Sequence, residues 1–504
     1  MDTAAATAAG AGPAVPGTAT GTPPGQRTAP PDAPRDAPRD AQPAGPGPRR
    51  LAGWRAPRLD PWWLAALLFA AYATLSLLRH LTMGTASWDL GIFEQAVRGY
   101  AHLGAPIVDL KGPGTNVLGD HFSPVLILLA PLYRLLPSPL TLLTAQAALF
   151  ALSSVPVTRT AARYLGRARG LALGVAYGLS WGLQKAIDFD FHEIAFALPL
   201  LAFALEAVVR GRWTAAVCWA APLVLVKEDL GVTAAAVGVV VLIRARQALP
   251  LAVALIGFGL AATAVTLGVI IPGFNGTGSY DYWTKLGGDG AQGPAIGAGE
   301  ALHTLLWVLL PTTGLLALRS PLLLAAVPTL GWRFVSHEPH YWGIDWHYNA
   351  VLMPVVFLAL VDALERAGRS PRPWLRSLAG QLPAAAVAAA LALTTALPLA
   401  RLTEPATYRI PPEVTAAERL LATVPDGASV EADIRPLSRL VSRTRVFWIG
   451  DTRGIAPDYV AVQLGEGRTA AQVRTEAGQR HPGARYAVSG TAGDFVVLRR
   501  VSGP

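Results

Sequence analysis

Five short polar clusters interrupt an otherwise apolar stretch and carry the residue types that do acid–base work. Residues 87–95 read Ser-Trp-Asp-Leu-Gly-Ile-Phe-Glu-Gln, with carboxylates at Asp89 and Glu94. Residues 119–124 read Gly-Asp-His-Phe-Ser-Pro, with Asp120 and His121. Asp188, Asp190, His192 and Glu193 fall within six residues, and Lys227 stands beside Glu228 and Asp229. The densest cluster, 337–348, sets His337, Glu338, His340, Asp345 and His347 among tyrosines and tryptophans, with Arg333 just upstream. A carboxylate at an apolar boundary is desolvated, which raises its pKa and makes it a better proton acceptor; Asp89 reads as such a general base. Glu94 lies about 140° further round a helix and need not share that face. Lys227 and Arg333 are cations suited to a phosphate. Each group also has a plain reading. Asp89 can be a solvated acid, Asp120 or His121 a helix cap, Glu193 an acid favoured at a helix N-terminus, and the aromatics an interfacial belt. Arg333 lies inside an apolar run, where a charge faces either a partner or, by snorkelling, the interface. One Asp-His pair is no metal site of known geometry.

The elements that must position these clusters are apolar. The chain of 504 residues is 52% hydrophobic and 15% charged, with a mean hydropathy of +0.38; soluble proteins carry about 25% charged residues. The deficit lies between residues 61 and 400, which reads as an all-α polytopic membrane region. Its net charge of +9 is explained by arginines at helix ends, so nucleic acid is excluded as a partner. The single cysteine, Cys218, forbids an intrachain disulfide. Cations are nearly all arginine, the lysines being Lys111, Lys185, Lys227 and Lys285.

Eleven spans are expected, at 62–82, 140–158, 170–187, 194–209, 213–226, 230–243, 248–271, 301–318, 321–336, 348–364 and 378–399. The segment 124–136 is short and proline-bounded, and reads as interfacial. With that segment not crossing, every arginine-rich span end falls on one side of the membrane and every acid- or histidine-bearing cluster on the other. The arginine side is the cytoplasm. Residues 1–60, rich in Ala, Pro and Gly, read as a disordered cytoplasmic tail. Residues 61–400 form the transmembrane domain, and 401–504 a small extracytoplasmic α/β domain with helices expected at 415–423 and 470–480 and strands at 428–433, 445–449, 459–464 and 495–501.

Trp88-Asp-Leu-Gly-Ile-Phe-Glu-Gln95, His121-Phe-Ser-Pro124, Asp190-Phe-His-Glu193 and Lys227-Glu-Asp-Leu-Gly231 together resemble a bacterial family of predicted membrane proteins of unassigned function, itself related to the GT-C superfamily of membrane glycosyltransferases. The resemblance covers about residues 60–365. It implies a GT-C-like architecture in the bacterial plasma membrane and transfer of a sugar from a polyprenyl-phosphate donor. The acceptor would be an envelope glycan, lipid or protein outside the cytoplasm. Asp89 matches the acidic residue of the first outer loop and would act as base with inversion. Arg333, Lys227 or a histidine of 337–347 would hold the departing phosphate, and Glu94, Asp120, His121, Asp190, His192, Glu193, Glu228, His340 and His347 would line the substrate site. No paired acid stands at Asp89, so a divalent metal is left open. Two other classes remain beside this reading. A lipid or solute transporter would need charged or broken helices at mid-membrane and internal repeats. A non-catalytic envelope protein would tolerate the loss of Asp89.

Overall fold

The computed structural model describes residues 58–85, 87–286 and 293–503; the expected tail lies outside these up to residue 57. Helices α1 (Asp60–Leu81), α2 (Asp89–Ala101), α3 (Ala130–Leu135), α4 (Pro139–Leu165), α5 (Arg167–Gly178), α6 (Trp181–Asp188), α7 (Ala197–Val209), α8 (Trp213–Ala220) and α9 (Leu230–Arg244) form the first part of a bundle. It continues with α10 (Leu249–Val265), α11 (Ile271–Phe274), α12 (Ala298–Thr313), α13 (Val327–Val335), α14 (Leu352–Gly368) and α15 (Pro373–Thr394).

Among the described residues, four helices are long and apolar enough to cross a membrane: α1, α4, the continuous stretch Arg246–Phe274 and α15. Most of the other expected spans are shorter or broken. The run 170–187 is split into α5 and α6, and α9 has 15 residues. Pro222, Pro321 and Pro328 each begin a short helical piece, because proline lacks the N–H that would continue a helix from the preceding turn. The segment Pro124–Leu135 is short, as expected. Helix α4 packs against α1, α5, α7 and α14 and is the most enclosed of the long helices. Helices α9 and α10 cross so closely at Gly231 and Gly259 that a Cβ on either would meet the other's backbone. That crossing fixes the 227–229 turn just before α9.

After α15 come α16 (Pro412–Leu421), β1 (Ser429–Ala432), α17 (Ile434–Leu440), β2 (Arg445–Trp448), β3 (Tyr459–Gln463), α18 (Ala470–Arg480), β4 (Arg485–Ala492) and β5 (Phe495–Ser502). The sheet order is β2-β1-β3-β5-β4. Strand β1 pairs in parallel with β2 and β3, and β5 is antiparallel to β3 and β4. The sequence reading lacked α17 and β4. Strand β4 is an edge, mostly exposed and with register shifts at two places, so it has no clean alternation to read. One side of this unit joins the core of the bundle: Gly91 of α2 has only hydrogen where a Cβ would strike Leu437, and Leu437 and Val441 pack with the bundle's apolar residues.

Candidate active site

A cavity of about 530 Å³ lies at one end of the bundle. Its walls are the start of α2, the first loop at Lys111 and Asp120-His121, the turns at His192-Glu193 and 227–229, the segment 280–286 and the loop 338–348. Of the twelve site residues expected from sequence, nine line it: Asp89, Asp120, His121, His192, Glu193, Lys227, Glu228, His340 and His347. They come from segments as far apart as residues 89 and 347.

Asp89 opens α2, and its Oδ2 accepts a hydrogen bond from Ser87 and lies 3.4 Å from His192 Nε2. Burial pushes the Asp89 carboxyl up, but His192 and Ser87 outweigh it and hold the acid below its ordinary value. His192 Nδ1 faces Glu193 Oε2 at 3.4 Å, and Glu193 Oε1 accepts from Lys227 Nζ at 3.0 Å. On the other wall Glu228 accepts from His121 Nδ1 at 2.9 Å, from the Phe122 amide at 3.2 Å and from the Tyr280 hydroxyl at 3.1 Å. Burial opposes ionisation of Glu228, yet His121, Lys227 and a backbone hydrogen bond bring its pKa down to about 2. Asp120 pairs with Lys111 Nζ at 3.1 Å. Lys111 also sits 5.3 Å from the centre of the Trp88 ring and donates to the Tyr282 hydroxyl at 3.3 Å. Lys285 lies over Tyr282 and Tyr341 and is only loosely paired with Glu338, at 3.8 Å. His340 is largely exposed and holds Glu338 at 2.6 Å. Several buried polar atoms on this wall make no hydrogen bond to the described residues: both ring nitrogens of His192, Glu193 Oε2, Asp229 Oδ1 and His347 Nδ1. Such atoms are uncommon in folded interiors; those of His192 and Glu193 face carboxylate or imidazole atoms at 3.4 Å.

Three expected residues are placed elsewhere. Glu94 is buried behind α2, where it accepts from Tyr133 at 2.8 Å. Asp190 does not line the cavity; it adopts φ 67°, and its carbonyl accepts from Gln146 at 2.5 Å. That turn swings His192 back towards α2. Arg333 is fully buried and faces the loop instead of the cavity. Its guanidinium donates to the carbonyls of Tyr341, Trp342 and Gly343 and to Asn349 Oδ1, at 2.6 to 3.0 Å. Its donors are spent on shaping the loop that carries His340 and His347.

The sequence reading missed Lys111, Lys285, Tyr280 and Tyr282 as wall residues. A signal existed: in a chain whose cations are nearly all arginine, three of the four lysines line one cavity. The first loop is also braced from the far end of the chain. Arg445 of β2 grips Asp109 with two hydrogen bonds, Gln95 donates to the Val446 carbonyl at 2.8 Å, and Arg453 donates to the Lys111 carbonyl at 3.1 Å. Trp448 packs on Trp88 with ring centres 4.9 Å apart. Gly112 turns this loop at φ 103°, against the Arg453 guanidinium. Among the described residues, no three or more His, Cys, Asp or Glu side chains are grouped to hold a metal ion.

The chain belongs to the family described as predicted membrane protein (DUF2079), whose model matches residues 79–480. No curated protein matches it. Among solved structures it is similar to the crystal structure of ArnT from Cupriavidus metallidurans bound to undecaprenyl phosphate, with 14% identity, a TM-score of 0.55, and coverage of 87% of this chain and 99% of that chain. The apo state of the same ArnT gives 13% identity and a TM-score of 0.47 over the same shares. The first likeness shows a shared fold. The membrane-protein family expected from Trp88 to Gly231 is thus borne out by the family model, and the architecture is ArnT-like.

Proposed function

We propose that this protein transfers a sugar from a polyprenyl-phosphate donor to a hydroxyl acceptor at the outer face of the bacterial plasma membrane. The observation that carries the reading is a single one: Asp89 opens into a cavity whose other walls hold three lysines, within an ArnT-like fold. The ArnT structure was obtained with undecaprenyl phosphate bound, which supports a lipid of that class as donor. Asp89 takes the proton of the acceptor hydroxyl as its oxygen bonds the anomeric carbon. The bond from that carbon to the phosphate oxygen breaks, and polyprenyl phosphate departs with the electron pair, so the anomeric centre inverts. Lys111 and Lys285, flanking Tyr282, supply the cationic wall for the departing phosphate; Lys227 backs Glu193 and Glu228. Arg333 has no part in that step, because its donors are already engaged. The proposal keeps the expected topology of eleven crossings, a cytoplasmic N-terminus and an outward domain at 401–504, with the broken helical runs crossing as jointed pieces.

Purified full-length protein in liposomes of bacterial envelope lipid, given polyprenyl-phosphate sugars, is expected to release polyprenyl phosphate. Asp89→Asn is expected to slow this about 10³-fold in a protein that still folds, with a modestly lower melting temperature from the lost contact with His192. Undiminished turnover in that variant removes Asp89 from the mechanism. Engineered cysteines in 410–500 are expected to label on intact cells; labelling only after lysis overturns the topology.

A further inference from the structure

A base at Asp89 must be ionised and aimed before the acceptor arrives, and the geometry around His192 supplies both. The His192 ring is buried. One face stacks on His347, with ring centres 3.5 Å apart and planes at 18°. Phe189 lies nearly parallel to it at 5.4 Å, and Phe93 meets it edge-on at 5.3 Å. Its backbone amide donates to Gln146 Oε1 at 2.9 Å, and Gln146 also holds the Asp190 carbonyl, so the turn cannot pivot freely. Thus fixed, the ring presents Nε2 to Asp89 and Nδ1 to Glu193, each at 3.4 Å. These are charge contacts, longer than an ordinary hydrogen bond. A neutral imidazole carries one N–H and could serve one carboxylate; two carboxylates on opposite edges ask for both N–H groups.

We propose that His192 is a positioning residue for the transfer: an imidazolium wedged between Asp89 and Glu193 that keeps Asp89 ionised and fixes its Oδ2, leaving the carboxylate's other oxygen to take the acceptor proton. This rests on the reading of Asp89 as base. Glu193 is in turn anchored by Lys227, so the wall alternates in sign along Asp89, His192, Glu193 and Lys227. The titratable and charged groups acting on this chain include Asp89 of α2, Glu193 of the same turn, Lys227, Glu228 and Asp229 before α9, Arg333 of α13, His347 and Tyr348 before α14, and His121 of the first loop. Burial alone would discharge His192, but the two carboxylates prevail and raise it to about 8. His347, stacked on it without a carboxylate of its own, is held well below the ordinary range by burial and by the His192 charge.

The sign of the linkage gives a test that needs no turnover. A group raised in the folded state stabilises fully below its unfolded pKa, and the contribution is lost as pH rises through the folded value. The melting temperature of full-length wild type in detergent should exceed that of His192→Gln by about 2–4 °C at pH 6, a gap that closes by pH 9; His192→Asn serves if the glutamine variant does not fold. In the transfer assay, His192→Gln should move the acid limb of kcat up by about one pH unit or more. Near neutral pH, where Asp89 stays ionised, the loss of its aim should lower kcat about 10-fold and leave donor KM within about twofold. A melting gap that is flat with pH, or an acid limb that stays put, overturns the proposal. Full turnover by Asp89→Asn overturns the base reading and this proposal together. A flat gap with an inactive Asp89→Asn overturns the wedge alone.

Discussion

The two ends of the bundle both bury carboxylates against cations, and they do it differently. At the end away from the cavity the acids are saturated. Asp362 Oδ2 receives Ser320 Oγ at 2.5 Å and Arg244 at 2.5 Å, and Arg366 as well. Glu206 is gripped through both oxygens by Arg159 and again by Arg210. Arginine's fixed fork suits such closed clusters. At the cavity end the partners are lysines and histidines, and two contacts stretch to 3.4 Å. Helix α9 joins the two ends, with Asp229 before its first turn and Arg244 in its last, about 22 Å along the axis. Arginine thus clasps the acids at one end, while lysine and histidine hold them more loosely at the other.

The sharpest way to break this contrast is to neutralise one acid at each end. Asp89→Asn should slow transfer about 10³-fold at only a modest cost in melting temperature, from the lost contact with His192. Asp362→Asn should cost about 1–3 kcal/mol of stability, allowing for the exposure of Arg366, with turnover per folded molecule intact. If Asp362→Asn instead slows transfer as much as it destabilises, the two ends are not separate in role. Arg333→Met comes next, since it strands three carbonyls and Asn349 in the interior. A loss of about 3 kcal/mol in chemical denaturation is expected, and Arg333→Lys should recover little of it, lacking the fork. A stable Arg333→Met protein with weakened donor binding would return Arg333 to the phosphate site. A smaller effect is expected of Lys285→Met: donor KM about 5–10-fold higher with stability unchanged, because this side chain is 41% exposed and its pairing with Glu338 is loose. The smallest is Arg445→Ala, which frees Asp109 at a cost of about 0.5–1 kcal/mol; its signature is a few-fold loss of transfer through Lys111, measured beside an unchanged helical signal.

Much of the cavity was legible because its chemistry sits at the ends of apolar runs. Asp89, His192, Lys227 and His347 each follow or precede such a run, and an alternation of signs at run ends needs no structure to be seen. Lys111 and Tyr282, 171 residues apart, have no such marker; their meeting is a fact of tertiary packing. Arg333 was legible as an oddity but not as a structural residue, since the carbonyls that satisfy it belong to a loop that folds back over it. The run pattern gave the bundle, while the prolines inside and between runs decided that many pieces would be short. In the last hundred residues, short apolar strands buried on both faces were readable, and the exposed edge β4 was not.

The grip of Arg445 on Asp109 has a consequence in time. The two residues stand 336 positions apart. At about 5–20 residues per second of synthesis, the loop bearing Lys111 is made tens of seconds before the strand that braces it exists. The cavity end of this protein therefore matures late, though its first residues are among the earliest translated. A nascent chain that has not yet reached residues 445–453 carries the acid, the histidines and the lysines without the brace that holds their loop.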